Sequence, residues 1–143
     1  MMDVRTGRSA SSHVLISHTD RPGGTDWIRG LTTYFEPYSI RVRQVYTGPD
    51  TISLIEAGQV DAAVLSIDMP KLDGLGILRT IRSIDDRLPC VMVTADASSR
   101  TLRRALDLGA YSVVTCPVDL QAITRVMAGL FRRFLDWELD ERA

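Results

Sequence analysis

The chain has 143 residues, with 17 Lys and Arg set against 18 Asp and Glu for a formal net charge of −1. That length suits one domain with a real core, and 45% hydrophobic and 24% charged residues are ordinary globular values. No Lys/Arg cluster beyond short pairs argues for direct nucleic-acid or anionic-membrane binding, and no apolar run approaches the roughly 20 residues of a membrane span.

Residues 1–12 are polar, with no apolar signal-peptide core, and read as a disordered amino-terminal tail. The domain is expected over 13–139. Val14-Leu15-Ile16 is an apolar strand, ending at Ser17-His18-Thr19-Asp20. Thr25 or Asp26 caps a helix carrying Trp27, Ile28, Leu31 and Phe35. Ile40 to Val45 alternates apolar and polar, as a half-exposed edge strand does. Gly48-Pro49-Asp50 reads as turn and cap, Thr51 to Ala57 as a short helix, and Gly58 as its stop.

Ala62 to Leu65 is apolar without alternation, the pattern of a strand covered on both faces. A loop follows through Pro70 and the turn pair Asp73-Gly74, and a helix runs from Leu75 to Ile84. Cys90 to Thr94 is another doubly covered strand. Ala97 to Leu108 is a helix with Ser98 or Ser99 as cap, and Ser112 to Thr115 is a fifth strand. The last helix is expected over 119–139. Five strands alternating with five helices predict an α/β doubly wound parallel sheet. On that reading Cys90 and Cys116 are on the order of 15 Å apart, too far for a disulfide, and a reduced, cytoplasmic setting is expected.

Ligands in such sheets sit at the carboxyl ends of strands, which places Ser66 and Asp68 where a site belongs. The run Ala62-Ala63-Val64-Leu65-Ser66-Ile67-Asp68-Met69-Pro70-Lys71-Leu72-Asp73-Gly74 resembles the phosphorylation segment of response-regulator receiver domains. Met69-Pro70 and Asp73-Gly74 carry the likeness, which extends over roughly Val14 to Trp137. It implies the flavodoxin-like receiver topology, strand order 2-1-3-4-5, and a cis peptide before Pro117. It also implies an acid pair for Mg²⁺, a phosphoacceptor Asp, a hydroxyl and a Lys. On this chain those positions fall on His18 and Thr19, Ser66, Thr94 and Cys116. Only Thr94 is kept.

A carboxylate accepts a phosphoryl group because it is already ionised, whereas a Ser hydroxyl needs a base. Phosphoryl transfer also leans on a metal, which this donor set holds poorly. The Lys is lost together with the acids, so no unpaired cation is left behind. Ser66 then reads as a strand-end hydroxyl, Asp68 as a loop acid and Cys116 as a small core residue. The expected function is a phosphorylation-independent pseudo-receiver, not an enzyme, without cofactor, working through protein contacts. The alternative is a small-molecule or metal-binding domain, using the Gly23-Gly24 loop or a His18/Asp68/Cys116 pocket.

From Asp119 the apolar positions Leu120, Ile123, Met127, Leu130, Phe134 and Trp137 repeat as a heptad stripe. A helix of nearly 20 residues would overhang the domain, leaving Phe134, Leu135 and Trp137 as an apolar patch. Leu130, Phe134 and Trp137 are thus the expected homodimer interface, with an output domain possible beyond.

Overall fold

The computed structural model describes residues 12–18, 25–67 and 74–141. Its elements are β1 (Ser12–Ser17), α1 (Asp26–Phe35), a 3₁₀ turn (Glu36–Tyr38), β2 (Ile40–Val45), α2 (Gly48–Glu56), β3 (Ala62–Ser66), α3 (Gly74–Ile84), β4 (Cys90–Thr94), α4 (Ser99–Asp107), β5 (Ser112–Thr115) and α5 (Leu120–Phe134). The five strands form one parallel sheet in the order β2-β1-β3-β4-β5.

Strand parity divides the core. Val14, Ile16, Val64, Val91, Val93 and Val114 point to one face and pack with residues of α1 and α5. Leu15, Ala63, Leu65, Cys90 and Met92 point to the other and pack with residues of α2, α3 and α4. Two buried faces are why the central strands show no polar alternation. Edge strand β2 alternates because its outward residues are open to water.

Several boundaries differ from expectation. Strand β1 begins at Ser12, the last residue of the expected disordered tail, because the Ser12 N–H donates to the Ser39 carbonyl at 3.2 Å and its hydroxyl donates to Asp61 at 3.1 Å. Helix α2 begins at Gly48 rather than Thr51, because Thr47 Oγ1 accepts the Asp50 N–H at 3.1 Å and caps it. Pro49 sits in the first turn, where its missing donor costs nothing. Gly58 ends that helix with φ +73°, where a side chain would be strained. Helix α4 begins at Ser99, after Ser98 Oγ accepts the Thr101 N–H.

The largest difference is at the carboxyl end. Helix α5 stops at Phe134 and does not run to 139. Asp136 takes φ 57°, and the Trp137 N–H reaches back to the Phe131 carbonyl at 3.1 Å. The chain turns at Leu135 and Asp136, and residues 137–141 then return across the domain as a strap. Leu135, Trp137 and Leu139 alternate inward and are buried, while Asp136, Glu138 and Asp140 face out. The Trp137 and Phe131 ring centroids are 5.9 Å apart.

The expected overhang, with Phe134, Leu135 and Trp137 exposed and with Leu130, Phe134 and Trp137 as the interface, is therefore corrected. Leu130 and Trp137 are fully buried, Leu135 is buried, and only Phe134 is open, at 44%. The reason is hydrophobic: a helical continuation would hold Trp137 in water, whereas the turn at Asp136 buries a side chain of 150–250 Å².

Candidate functional site

The carboxyl ends of β1, β3, β4 and β5 form one edge of the sheet, where the sequence places the site. Thr19, Gly23, Gly24 and Asp68 lie outside the described residues. The others have definite settings.

His18 follows β1 and is buried. Its backbone N–H donates to the Val45 carbonyl at 3.1 Å, extending the β1–β2 ladder by one bond. Its Nε2 is 2.9 Å from Gln44 Oε1, and its ring packs edge-on against Tyr46 at 4.9 Å. Beneath it, Thr51 Oγ1 is within hydrogen-bond distance of Ser17 Oγ at 3.0 Å and of the Thr47 carbonyl at 2.8 Å. His18 is thereby fastened to the β2 edge of the sheet.

Ser66 ends β3 and is half-buried. It pairs in register with Val93, and the next residue, Ile67, donates its N–H to the Val93 carbonyl at 2.8 Å. Helix α3 begins hard against this strand end. A Cβ on Gly74 would lie 2.3 Å from the Ser66 carbonyl oxygen and 2.6 Å from Ile67 Cα. Gly74, legible in sequence only as turn chemistry, is thus required by a close backbone approach.

Thr94 ends β4 and is fully buried. Its hydroxyl accepts the Asp96 N–H at 3.0 Å. Asp96 in turn accepts from the Ser98 N–H at 2.9 Å and from Thr101 Oγ1 at 2.7 Å. The Thr101 hydroxyl first, then Ser98, holds the Asp96 carboxyl below the usual carboxylate range. A chain of short-range bonds therefore runs from Thr94 into the first turn of α4. Sequence reading missed Asp96 and Thr101, although the Asp-x-Ser spacing before a helix is a turn-and-cap signal.

Cys116 is exposed, not the core residue expected, because it lies one residue past the paired end of the edge strand β5, where Thr115 is already exposed. The Cys116–Pro117 peptide is cis. Cys116 donates its N–H to the Thr94 carbonyl at 2.8 Å. Cys90 is buried, and burial pushes its thiol up to about 11. Neither cysteine forms a disulfide.

β1 and β5 are separated by two strands, so His18 and Cys116 stand roughly 14 Å apart across the sheet. Ligands to one ion lie about 2 Å from it, so the two do not share a metal. Among the described residues no group of three His, Cys, Asp or Glu is placed to hold one. Mg²⁺, which the receiver resemblance implies, wants carboxylate and water oxygens in octahedral array. A histidine committed to Gln44 and the neutral hydroxyl of Ser66 do not fit it.

A separate cleft of about 660 Å³ opens at the opposite, amino edge of the sheet, lined by Asp61, Arg82, Asp85, Arg87, Tyr111 and Phe134 among others. Arg82 is occupied there as a clasp, donating to the carbonyls of Leu88 at 2.7 Å, Gly109 at 2.9 Å and Leu108 at 3.2 Å.

The strand order β2-β1-β3-β4-β5 is that of flavodoxin-like doubly wound α/β proteins, the class to which receiver domains belong. The family model for the response regulator receiver domain matches residues 25–128. Response regulator MprA of Mycolicibacterium vanbaalenii is 34% identical over 120 residues, covering 84% of this chain and 50% of that protein. MprA of Mycobacterium bovis is 32% identical over 123 residues, covering 86% and 52%.

Among solved structures, the signal receiver domain of a DNA-binding response regulator from Colwellia psychrerythraea aligns with TM-score 0.76 at 20% identity, covering 86% of this chain and all of that one. A CheY-like receiver domain from Methanospirillum hungatei aligns with TM-score 0.75 at 19% identity, covering 87% and 97%. The chain belongs to the response regulator receiver domain family, the signal-receiving domains of two-component systems. It spans about half the length of the curated relatives it matches. Among the described residues no helix is long and apolar enough to cross a membrane.

Proposed function

We propose that this chain is a phosphorylation-independent receiver, a pseudo-receiver that signals through protein contacts. The observation that carries the reading is Ser66 at the end of β3, where the family resemblance calls for an ionised acceptor. A hydroxyl there needs a base, and the nearest candidate by chain position, His18, is engaged with Gln44. The Thr94 hydroxyl, kept from the family pattern, already accepts a bond from its own loop. Its role in this reading is structural.

The partners that fit this class are proteins: a sensor, an output domain, or a second copy. Self-association through α5 is part of the reading. It does not use Leu130 or Trp137, which are buried within the protomer, so its open contact on that helix is Phe134, packed edge-on against Tyr111. Incubation with acetyl phosphate and Mg²⁺ followed by intact-mass analysis tests the central claim. Unchanged mass is expected. A phosphate adduct on Ser66, Asp68 or Asp73 overturns it.

A further inference from the structure

The carboxyl-terminal strap satisfies two periodicities at once. Leu130, Phe134 and Trp137 continue the helical stripe of α5. Leu135, Trp137 and Leu139 also alternate with polar residues, and that alternation is the burial pattern observed once the chain has turned at Asp136. No Gly or Pro enforces the change of course between them. The turn rests on Asp136 at φ 57°, a conformation that L side chains adopt at a cost, although Asp tolerates it better than most.

The strap is held in a groove between α1, the 3₁₀ turn and α5. Three apolar side chains are buried in it. The Tyr34 hydroxyl donates to the Asp140 carbonyl, and the Asp140 N–H donates to the Tyr38 hydroxyl at 2.9 Å. Arg132 pairs with Glu138 at 3.5 Å and with Glu141 at 3.2 Å.

We propose that residues 135–141 exchange between two copies of this chain, each strap seating in the other's groove. This rests on the self-association part of the reading above and gives it a geometry. The partner is a second copy because only that sequence reproduces every contact: Arg132 meets the same two glutamates, and the tyrosines meet the same Asp140 backbone. What exchange changes is the hinge. Residues 135 and 136 can then continue α5 as helix, which relieves the positive φ and adds backbone bonds at a helix end. Against this stands the loss of translational freedom, so exchange depends on concentration.

The test compares the full chain with Asp136→Gly and Asp136→Ala by sedimentation equilibrium. Gly removes the strain of the closed hinge and lowers dimer formation. Ala raises that strain in the closed hinge of each of the two monomers that combine, and so raises the dimerisation constant by roughly tenfold or more. Hydrogen exchange on the separated dimer reads the strap itself: the amides of 137–141 stay protected, because each groove remains filled. A dimer indifferent to residue 136, a dimer with an unprotected strap, or a monomer for all three chains at millimolar concentration overturns the proposal. If Asp136→Ala does not fold, the Asp136→Gly comparison and the exchange pattern of the unaltered chain decide it. Phosphoryl acceptance is measured separately by mass, so failure of strap exchange and failure of the pseudo-receiver reading are distinct results.

Discussion

His18 Nε2 and Gln44 Oε1 lie 2.9 Å apart, joining the first residue after β1 to the exposed edge strand β2. The bond makes His18 part of the frame of the sheet edge. His18→Ala is expected to cost about 0.5–1.5 kcal/mol, the worth of one net hydrogen bond. The denaturant midpoint checks this, with Gln44→Ala giving a similar loss and the pair together less than the sum.

On the proposed reading, Ser66→Asp is expected not to create a phosphoryl switch, since the positions that the receiver resemblance assigns to the Mg²⁺-holding acids and the Lys would still carry His18, Thr19 and Cys116. The new carboxylate destabilises the fold by about 1–3 kcal/mol, toward the lower end because Ser66 is only half-buried. Urea unfolding measures the shift, and intact mass after acetyl phosphate shows no adduct.

Gly74→Ala is expected to destabilise by about 1–3 kcal/mol. Its Cβ meets backbone at the end of β3, which has no flexible end to swing away. Gly76, one turn position further, has open space within 4 Å of its would-be Cβ. Gly76→Ala therefore stabilises by about 0.5–1 kcal/mol through helix propensity. Opposite signs at two glycines two residues apart are the result to look for in thermal melts.

Trp137→Ala is expected to cost about 3–5 kcal/mol, the range for emptying a buried aromatic site. Phe134→Ala, at a position 44% exposed, costs less than about 1.5 kcal/mol. Chemical denaturation of both variants checks the ranking. Equal losses would mean that the strap is not seated as described.

The Asp96 carboxyl is held below its ordinary range by Thr101 and Ser98. Its folded-state pKa is depressed, so its contribution is present above the ordinary Asp range and is lost as pH falls through the lowered value. Side-chain carboxyl NMR titration should find Asp96 below an ordinary Asp, and Thr101→Val should bring it back up. The first turn of α4 should loosen over the same acid range.

The parallel sheet was legible in the chain because burial on both faces leaves a signature that survives without neighbours. Ala62 to Leu65 and Cys90 to Thr94 carry no polar alternation; the second strand has the bounds read from sequence, and the first runs one residue further, to Ser66. The receiver family was legible too, since Met69-Pro70 and Asp73-Gly74 are local chemistry at fixed spacing. Ser66 at the end of β3 was equally plain. What tertiary structure alone decided is where side chains turn and where helices stop. Nothing near His18 in sequence names Gln44 as its partner, because register across two parallel strands brings them together. The heptad stripe of α5 predicted a helix to 139, for periodicity reports which positions are apolar and not which surface receives them. The groove beside Phe131 takes Trp137 in a returning strap, and burying that ring outweighs the strained turn at Asp136 that the strap requires.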